Sequence, residues 1–470
     1  AVASKNFLIT IGDRSVGGLT ARDQMVGPWQ VPVADVAVTC MGYDTFLGEC
    51  FAIGERAPLA LLDAPASGRM AIGEALTNLA AADIADLSQV KLSANWMAAA
   101  GHGHEDAALF DTVHSVGMDF CPALGVSIPV GKDSLSMRTR WTEGTETKQV
   151  TAPLTLIVTA CSRVDDVRRT LTPELRSDSE VGETELILLD LGFGANRLGA
   201  SALAQVYGEL GEHGPDIDPA PLKAFFNVIG LLNRDGKILA YHDRSDGGLW
   251  ATVCEMSFCS HLGVSLNLDT LCYDVLMNDV DGLERRPNLI AGRQHDRLLA
   301  ALFNEELGAV IQIRRSDRNQ VMASLRDAGL GRAAHLIGGL NDSDEIRVWR
   351  NAKLAFSAPR STLQAAWGEQ SYQIAMLRDN EECVQEEFEA ITDVSLPGLS
   401  ASLSFDLPTI QVPVVLSGAR PRIAVLREQG VNGHVEMAAA FERAGFDAVD
   451  VHMSDLQKGR VQLKEFDGLV

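Results

Sequence analysis

The stretch that most constrains this chain is LAYHDRSDGGLW, Leu239–Trp250. An apolar run, Ile238-Leu239-Ala240, leads in. Apolar residues at helical spacing, Leu249, Val253 and Met256, lead out. The pattern is strand, turn, helix, and the turn holds Asp243, Ser245, Asp246, Gly247 and Gly248. Acids and glycines at such a junction support two readings. Ser245 or Asp246 can simply cap the following helix. Alternatively, the carboxylates hold a hard cation while the glycines let backbone N–H groups approach a phosphate at the helix N-terminus.

The chain has 470 residues, enough for about three domains with cores of their own. Its formal net charge is −23, which argues against a nucleic-acid or anionic-membrane surface, since phosphate backbones require clustered Lys and Arg. A phosphate ligand would have to be met by metal, backbone N–H groups or a few local bases. The eight cysteines show no C-x-x-C spacing, so reduced, mostly buried thiols in the cytoplasm are expected. No apolar run reaches membrane-spanning length. The chain opens without Met and closes inside a strand-like run, the pattern expected of a piece of a longer polypeptide.

In chain order, Asn6–Gly12 is a strand candidate, and Asp13–Pro32 is a long Gly- and Pro-bearing loop, of the kind that often carries function. Val33–Met41 predicts a buried strand with Asp35 near its start, either a turn cap or a metal ligand. Ala66–Ala82 predicts a helix with Ser67 as N-cap. Glu74 and Asn78 lie four apart on one face of it, placed for an i,i+4 hydrogen bond or for two oxygen ligands to one cation. In the second reading Asp35 and Asp243 complete an all-oxygen set, which selects Mg²⁺ or another hard cation over zinc. His102 and His104 are two apart in a glycine loop and share no helical face. Val126–Met137 predicts a strand followed by Gly131-Lys132-Asp133-Ser134, which lacks the P-loop spacing although Lys132 can still meet a phosphate.

A charged, Pro-bearing interruption near 168–181 separates one α/β-type unit, 1–180, from a second, 181–350, with one site split between them. A helix over Ser361–Asn380, extended by the acidic Glu381–Glu389, and a linker over Ser395–Arg420 occupy 351–420. Strand, helix, strand over 421–470 reads as the opening of a flavodoxin-like βαβ domain.

Five ordered motifs, RDQMVGPWQVPVAD (22–35), GEALTN (73–78), VKLSANWM (90–97), GKDSLSM (131–137) and HDRSDGGL (242–249), resemble the large phosphoribosylformylglycinamidine synthases of purine biosynthesis. PRIAVLREQGVNGH (421–434) looks like the start of that family's glutaminase domain. The resemblance implies an α/β and α+β multidomain fold: an aminoimidazole ribonucleotide synthetase-like domain pair, then the truncated start of a flavodoxin-like class I glutamine amidotransferase domain. The family enzyme has two such domain pairs, the first catalytic and the second holding a structural Mg²⁺–nucleotide, ATP or ADP. This chain looks like the second. Carried over by position, Asp35, Glu74, Asn78 and Asp243 look like magnesium ligands, and Ala34 and Ser245 like nucleotide contacts.

The family reaction is a carbon–nitrogen ligation. ATP activates the amide oxygen of formylglycinamide ribonucleotide, and ammonia from glutamine then displaces phosphate to give the amidine. No catalytic residue of either half-reaction is expected here. A glutaminase nucleophile requires an activated Cys, and no Cys follows Cys383. The resemblance further implies a monomeric full chain with an internal pseudo-dimer. Two other classes stay open: a different ATP- and Mg²⁺-dependent enzyme of the same superfamily, or a non-catalytic nucleotide-binding scaffold.

Overall fold

The computed structural model describes residues 2–12, 14, 18–273, 287–406 and 420–470. Asp13 and residues 15–17 of the long-loop expectation and residues 407–419 of the linker expectation lie outside them. A mixed six-stranded sheet runs in the order β1 (Thr20–Arg22), β2 (Ala37–Cys40), β3 (Gly48–Glu55), β8 (Thr155–Val164), β4 (Lys91–Met97), β5 (Ser127–Ser134). A hairpin of β6 (Arg138–Glu143) and β7 (Glu146–Thr151) stands beside it. Strict alternation along β3, with Gly48, Cys50, Ala52 and Gly54 buried, turns one face inward. The Ala64–Leu79 helix covers that face. It approaches so closely that a Cβ on Gly54 would lie 2.1 Å from the Ala71 carbonyl oxygen.

A seven-stranded sheet follows in the order β10 (Ala240–Asp243), β12 (Gly308–Arg314), β9 (Thr184–Asp190), β13 (Ala334–Asn341), β11 (Gly263–Asn267), β14 (Glu345–Arg350), β15 (Lys353–Pro359). Its adjacent strands β9 and β12 are buried on both faces, which is why ELILLD carries no polar alternation. Ile187 and Leu189 point into a core shared with the first sheet, and Leu186 and Leu188 into a second core under the Gly248–Ser260 helix. The same period of two governs β10. Ala240 faces the second core and Tyr241 the shared one, so His242 and Asp243 emerge on opposite faces. Tyr241 fixes the junction by donating its hydroxyl to the Thr77 carbonyl at 2.5 Å.

Four expectations change. Asn6–Ile9 is a helical turn, not a strand, and packs on the Arg360–Arg378 helix, with Ser4 N–H donating to Trp367 O at 3.0 Å. The N-cap of the Ala64–Leu79 helix is Asp63, whose carboxylate accepts from Ala66 N–H at 2.9 Å; Ser67 instead donates to Ala64 O. Glu381–Ala390 is a separate helix because the Asn380 side chain caps it through Cys383 N–H. Gly131–Ser134 continues β5, held by parallel pairing to β4, and leaves Lys132 exposed with its ammonium 3.1 Å from Ser134 Oγ.

At the C-terminus β16 (Arg422–Arg427) pairs in parallel with β17 (Asp447–His452) and β18 (Gly468–Leu469). Ile423, Ala424, Val425 and Val451 are buried there, and Arg443 donates to Tyr43 O at 2.8 Å. Among the described residues no helix is long and apolar enough to cross a membrane. No cysteine is in a disulfide; Cys50, Cys121, Cys254, Cys259 and Cys272 are buried and Cys383 is exposed.

Candidate functional site

The turn after β10 is where the two sheets share an ionic cluster. Asp35, from the segment leading into β2, has a fully buried side chain. Its Oδ1 accepts from Asp243 N–H at 3.0 Å and from His242 Nδ1 at 2.8 Å. The other His242 ring nitrogen lies 2.9 Å from Glu255 Oε2 on the Gly248–Ser260 helix. Both ring nitrogens face carboxylates, so both carry protons. Burial works against that charge, but Asp35 and Glu255 prevail and hold the imidazole pKa well above its ordinary value. Burial, and then the Asp35 charge, push the Asp243 carboxyl well above the usual carboxylate range.

Glu74 approaches from the Ala64–Leu79 helix. It accepts from Ser245 Oγ at 2.5 Å and from Glu55 N–H at 2.8 Å, and pairs with Arg56 at 3.3 Å. Burial raises its pKa, and Arg56 partly offsets this. Arg56 also meets Asp246 at 2.6 Å and Glu305 at 3.5 Å. Although burial disfavours the guanidinium, these acids raise its pKa above the ordinary arginine value. Asn78 donates to the backbone oxygens of Glu74 and Ile53, so the pair expected at i,i+4 spacing is side chain to backbone.

The structure thus brings Asp35 and Asp243 together, and Glu74 to Ser245. Ala34 sits beside Asp35, its N–H donating to Gln24 O at 3.3 Å. Among the described residues, Asp35, His242 and Asp243 are the group of His, Cys, Asp or Glu ligand atoms that lie within 4.8 Å of one another. Glu74 is not within that group. His242 directly precedes Asp243 in the HDRSDGG stretch and is a functional residue that the sequence reading passes over; a histidine next to an acid at a strand end is the signal. Arg56 and Glu305 lie far off in sequence, and Glu255, on the helix that follows the turn, carries no local signature.

The glycine expectation is corrected. Gly247 and Gly248 have φ of +81° and +66°, and a Cβ on Gly248 would meet Asn304 O at 2.4 Å, so these positions require glycine for backbone reasons. The N–H that was to cradle phosphate is taken: Gly247 N–H donates to Glu305 Oε1 at 2.8 Å, and Gly248 N–H to Ser245 O at 3.0 Å. Neither Ser245 nor Asp246 caps the helix; Gly247 is the N-cap and makes no side-chain cap.

Three buried polar atoms around this junction have no partner: Asp35 Oδ2, Asp243 Oδ2 and Arg56 Nε. Two lone carboxylate oxygens from different sheets fit a hard cation. The guanidinium N–H fits an anion beside it. A polar cavity of about 220 Å³ adjoins Arg56 and is lined further by Gly199, Ala200, Gln205, Asp246 and Glu305; Asp35 and Asp243 do not line it.

Residues 4–163 match the FGAR-AT PurM_N-like domain family, 184–351 the C-terminal domain of AIR synthase related proteins, and 420–470 the CobB/CobQ-like glutamine amidotransferase domain. Among solved structures, PurLQS from Thermotoga maritima is 12% identical, with a TM-score of 0.50 over 73% of this chain and 48% of that one. T. maritima PurL complexed with ATP is 13% identical, TM-score 0.48, over 70% and 46%. E. coli HypE, a hydrogenase maturation protein, is 17% identical, TM-score 0.42, over 64% and 81%. At such identities the likeness is one of fold, and the chain spans about half the length of the PurL structures. The chain therefore has synthetase-like N- and C-terminal domains followed by a short glutamine amidotransferase-like segment. It belongs with the phosphoribosylformylglycinamidine synthase-like proteins.

Proposed function

We propose that this chain is the second synthetase-like repeat, with the start of the glutaminase domain, of a longer cytoplasmic ligase that amidates formylglycinamide ribonucleotide with ATP and glutamine. In this reading the repeat is not catalytic; it holds a structural Mg²⁺–nucleotide. The observation that carries it is the pair of orphaned carboxylate oxygens, Asp35 Oδ2 and Asp243 Oδ2, buried where the two sheets meet. Glu74 and Asn78 complete an oxygen-ligand set, and Ala34 and Ser245 contact the nucleotide. Bound Mg²⁺ would neutralise phosphate charge. Arg56 holds Glu74, Asp246 and Glu305 in place while its Nε–H stays free for an anion. The Ser245 hydroxyl, now on Glu74, is the donor nearest to hand for a phosphate oxygen.

Glu305 occupies the Gly247 N–H, so in this reading the phosphates are met by Mg²⁺, Ser245 and Arg56 rather than by the helix N-terminus. With no Cys after Cys383, the chain alone releases no ammonia from glutamine. The outward face of β3 carries exposed Phe51 and Ile53, consistent with pairing to the first repeat as an internal pseudo-dimer.

The test is calorimetric titration of the ligand-free chain with ADP and ATP, with and without Mg²⁺. One equivalent should bind only with Mg²⁺, the ATP should be recovered intact, and Asp243→Asn should weaken binding by at least about tenfold, or 1.4 kcal/mol. Mg²⁺-independent binding, unchanged in Asp243→Asn, would overturn the assignment.

A further inference from the structure

Away from the acidic junction, a cavity of about 490 Å³ lies where the Arg360–Arg378 and Glu381–Ala390 helices meet the Pro28–Pro32 loop and the segment around Leu396–Leu399. That volume suits a small organic molecule. Its walls are aromatic. Trp29 stacks on His261 with centroids 3.6 Å apart and planes at 10°, and Tyr372 stacks on Phe388 at 4.3 Å and 22°. Trp367 forms a further wall. Such surfaces favour a flat ring.

The polar atoms narrow the class. Trp367 Nε1 is a buried donor and Asn6 Oδ1 a buried acceptor, and neither has a partner. The amide nitrogen of Asn6 is already used on Glu387 at 2.8 Å, which fixes the side chain with its oxygen unspent. Among the described residues no Lys or Arg lines the cavity to pair an anion, and its two acids are already partnered, Glu387 by the Asn6 amide and Asp379 by Arg378. His261 is neutral near pH 7, its pKa lowered to about 4 by burial and by Arg360.

We propose that this cavity binds a neutral, flat heterocycle that offers an acceptor to Trp367 Nε1 and a donor to Asn6 Oδ1. A lactam edge supplies both. The site is independent of the Mg²⁺–nucleotide reading. It lies at a clasp: Trp29 Nε1 donates to Leu396 O at 2.9 Å, and Leu399 N–H donates to Pro28 O at 2.8 Å. A ring wedged there braces the segment after the Glu381–Ala390 helix against the loop that runs on to Asp35.

The probe is 2-quinolone, a bicyclic lactam, titrated into the chain by calorimetry with no nucleotide present. One equivalent should bind saturably. Trp367→Phe, which keeps a ring and deletes the donor, should weaken it about fivefold to tenfold, the range expected for one hydrogen bond. 2-Methoxyquinoline, which keeps an acceptor and lacks the N–H, should bind weaker by a similar factor. Ala375→Trp, which fills the cavity, should abolish binding while the variant retains the wild-type circular dichroism spectrum. No saturable binding, or binding undiminished in Trp367→Phe and Ala375→Trp, would overturn the proposal.

Discussion

Asp243 and Arg244 are neighbours in sequence, both buried and both charged, yet they belong to opposite kinds of cluster. Arg244 donates to Asp190 at 2.5 Å, to Glu306 O at 2.6 Å and to Leu307 O at 3.1 Å. Asp190 also accepts from the N–H groups of Gly192 and Gly194, and Glu306 takes the Arg197 fork at 2.7 and 2.8 Å. No buried side-chain atom of Arg244, Asp190 or Glu306 lacks a partner. One residue away, Asp243 and Asp35 each keep a lone buried oxygen. Burial of charge is therefore common to both clusters and distinguishes neither. Completeness does. A saturated network does structural work, whereas an unsaturated one bears a desolvation cost that only a ligand relieves.

The largest effect should come from breaking the saturated side. Arg244→Met strands the buried Asp190 carboxylate, and loss of one partner of such a pair costs about 3–5 kcal/mol. Urea unfolding should show that loss whether or not Mg²⁺ and ADP are present. A change below about 1 kcal/mol would erase the contrast. On the unsaturated side the sign should reverse. In ligand-free protein, burial and Asp35 already disfavour the Asp243 carboxylate, and Asp243→Asn replaces it with a neutral amide that can donate to a lone oxygen, so stability should rise by about 1 kcal/mol. The response to ligand should shrink: Mg²⁺ and ADP at a hundredfold excess over the wild-type Kd should stabilise the wild type by about 2.7 kcal/mol and the variant by no more than about 1.4 kcal/mol. A variant less stable than wild type without ligand would mean that Asp243 is a structural residue like Arg244.

This pairing also shows what sequence could and could not reveal. The strand and helix around HDRSDGG were legible because their apolar periods differ, and β10 and the helix from Gly248 fall where those periods change. Asp35, Glu74, Asn78 and Asp243 were legible as oxygen-bearing side chains of the type a hard cation takes, and the structure brings Asp35 and Asp243 together. Their partners were not. Arg56 closes on Asp246, which lies 190 residues on, and no local rule predicts that contact. The role of Gly247 was misread for a related reason: a helix N-terminus attracts an anion, but which anion depends on where Glu305 lands. The Asn6–Ile9 segment was misread because four apolar-leaning residues carry no period, and packing on the Arg360–Arg378 helix decides their shape.

The smallest effect concerns acid. Burial pushes the Asp190 carboxyl upward, but Arg244 and the two glycine N–H groups outweigh it and leave its pKa below the ordinary value. A carboxyl depressed in the folded state binds its proton more readily in the unfolded chain. Its contribution is therefore complete above the unfolded value, about 3.9, and is lost as pH falls through the lower folded value. Asp190→Asn removes that titration. The variant should be less stable at neutral pH, because Arg244 loses its counter-charge, but its stability should fall less steeply than that of wild type below about pH 4. Unfolding free energies from about pH 5 down to pH 2 would give the two slopes. Parallel curves would show that the proton on Asp190 is indifferent to folding, and the saturated cluster would then owe its stability to packing and backbone hydrogen bonds rather than to the charge pair.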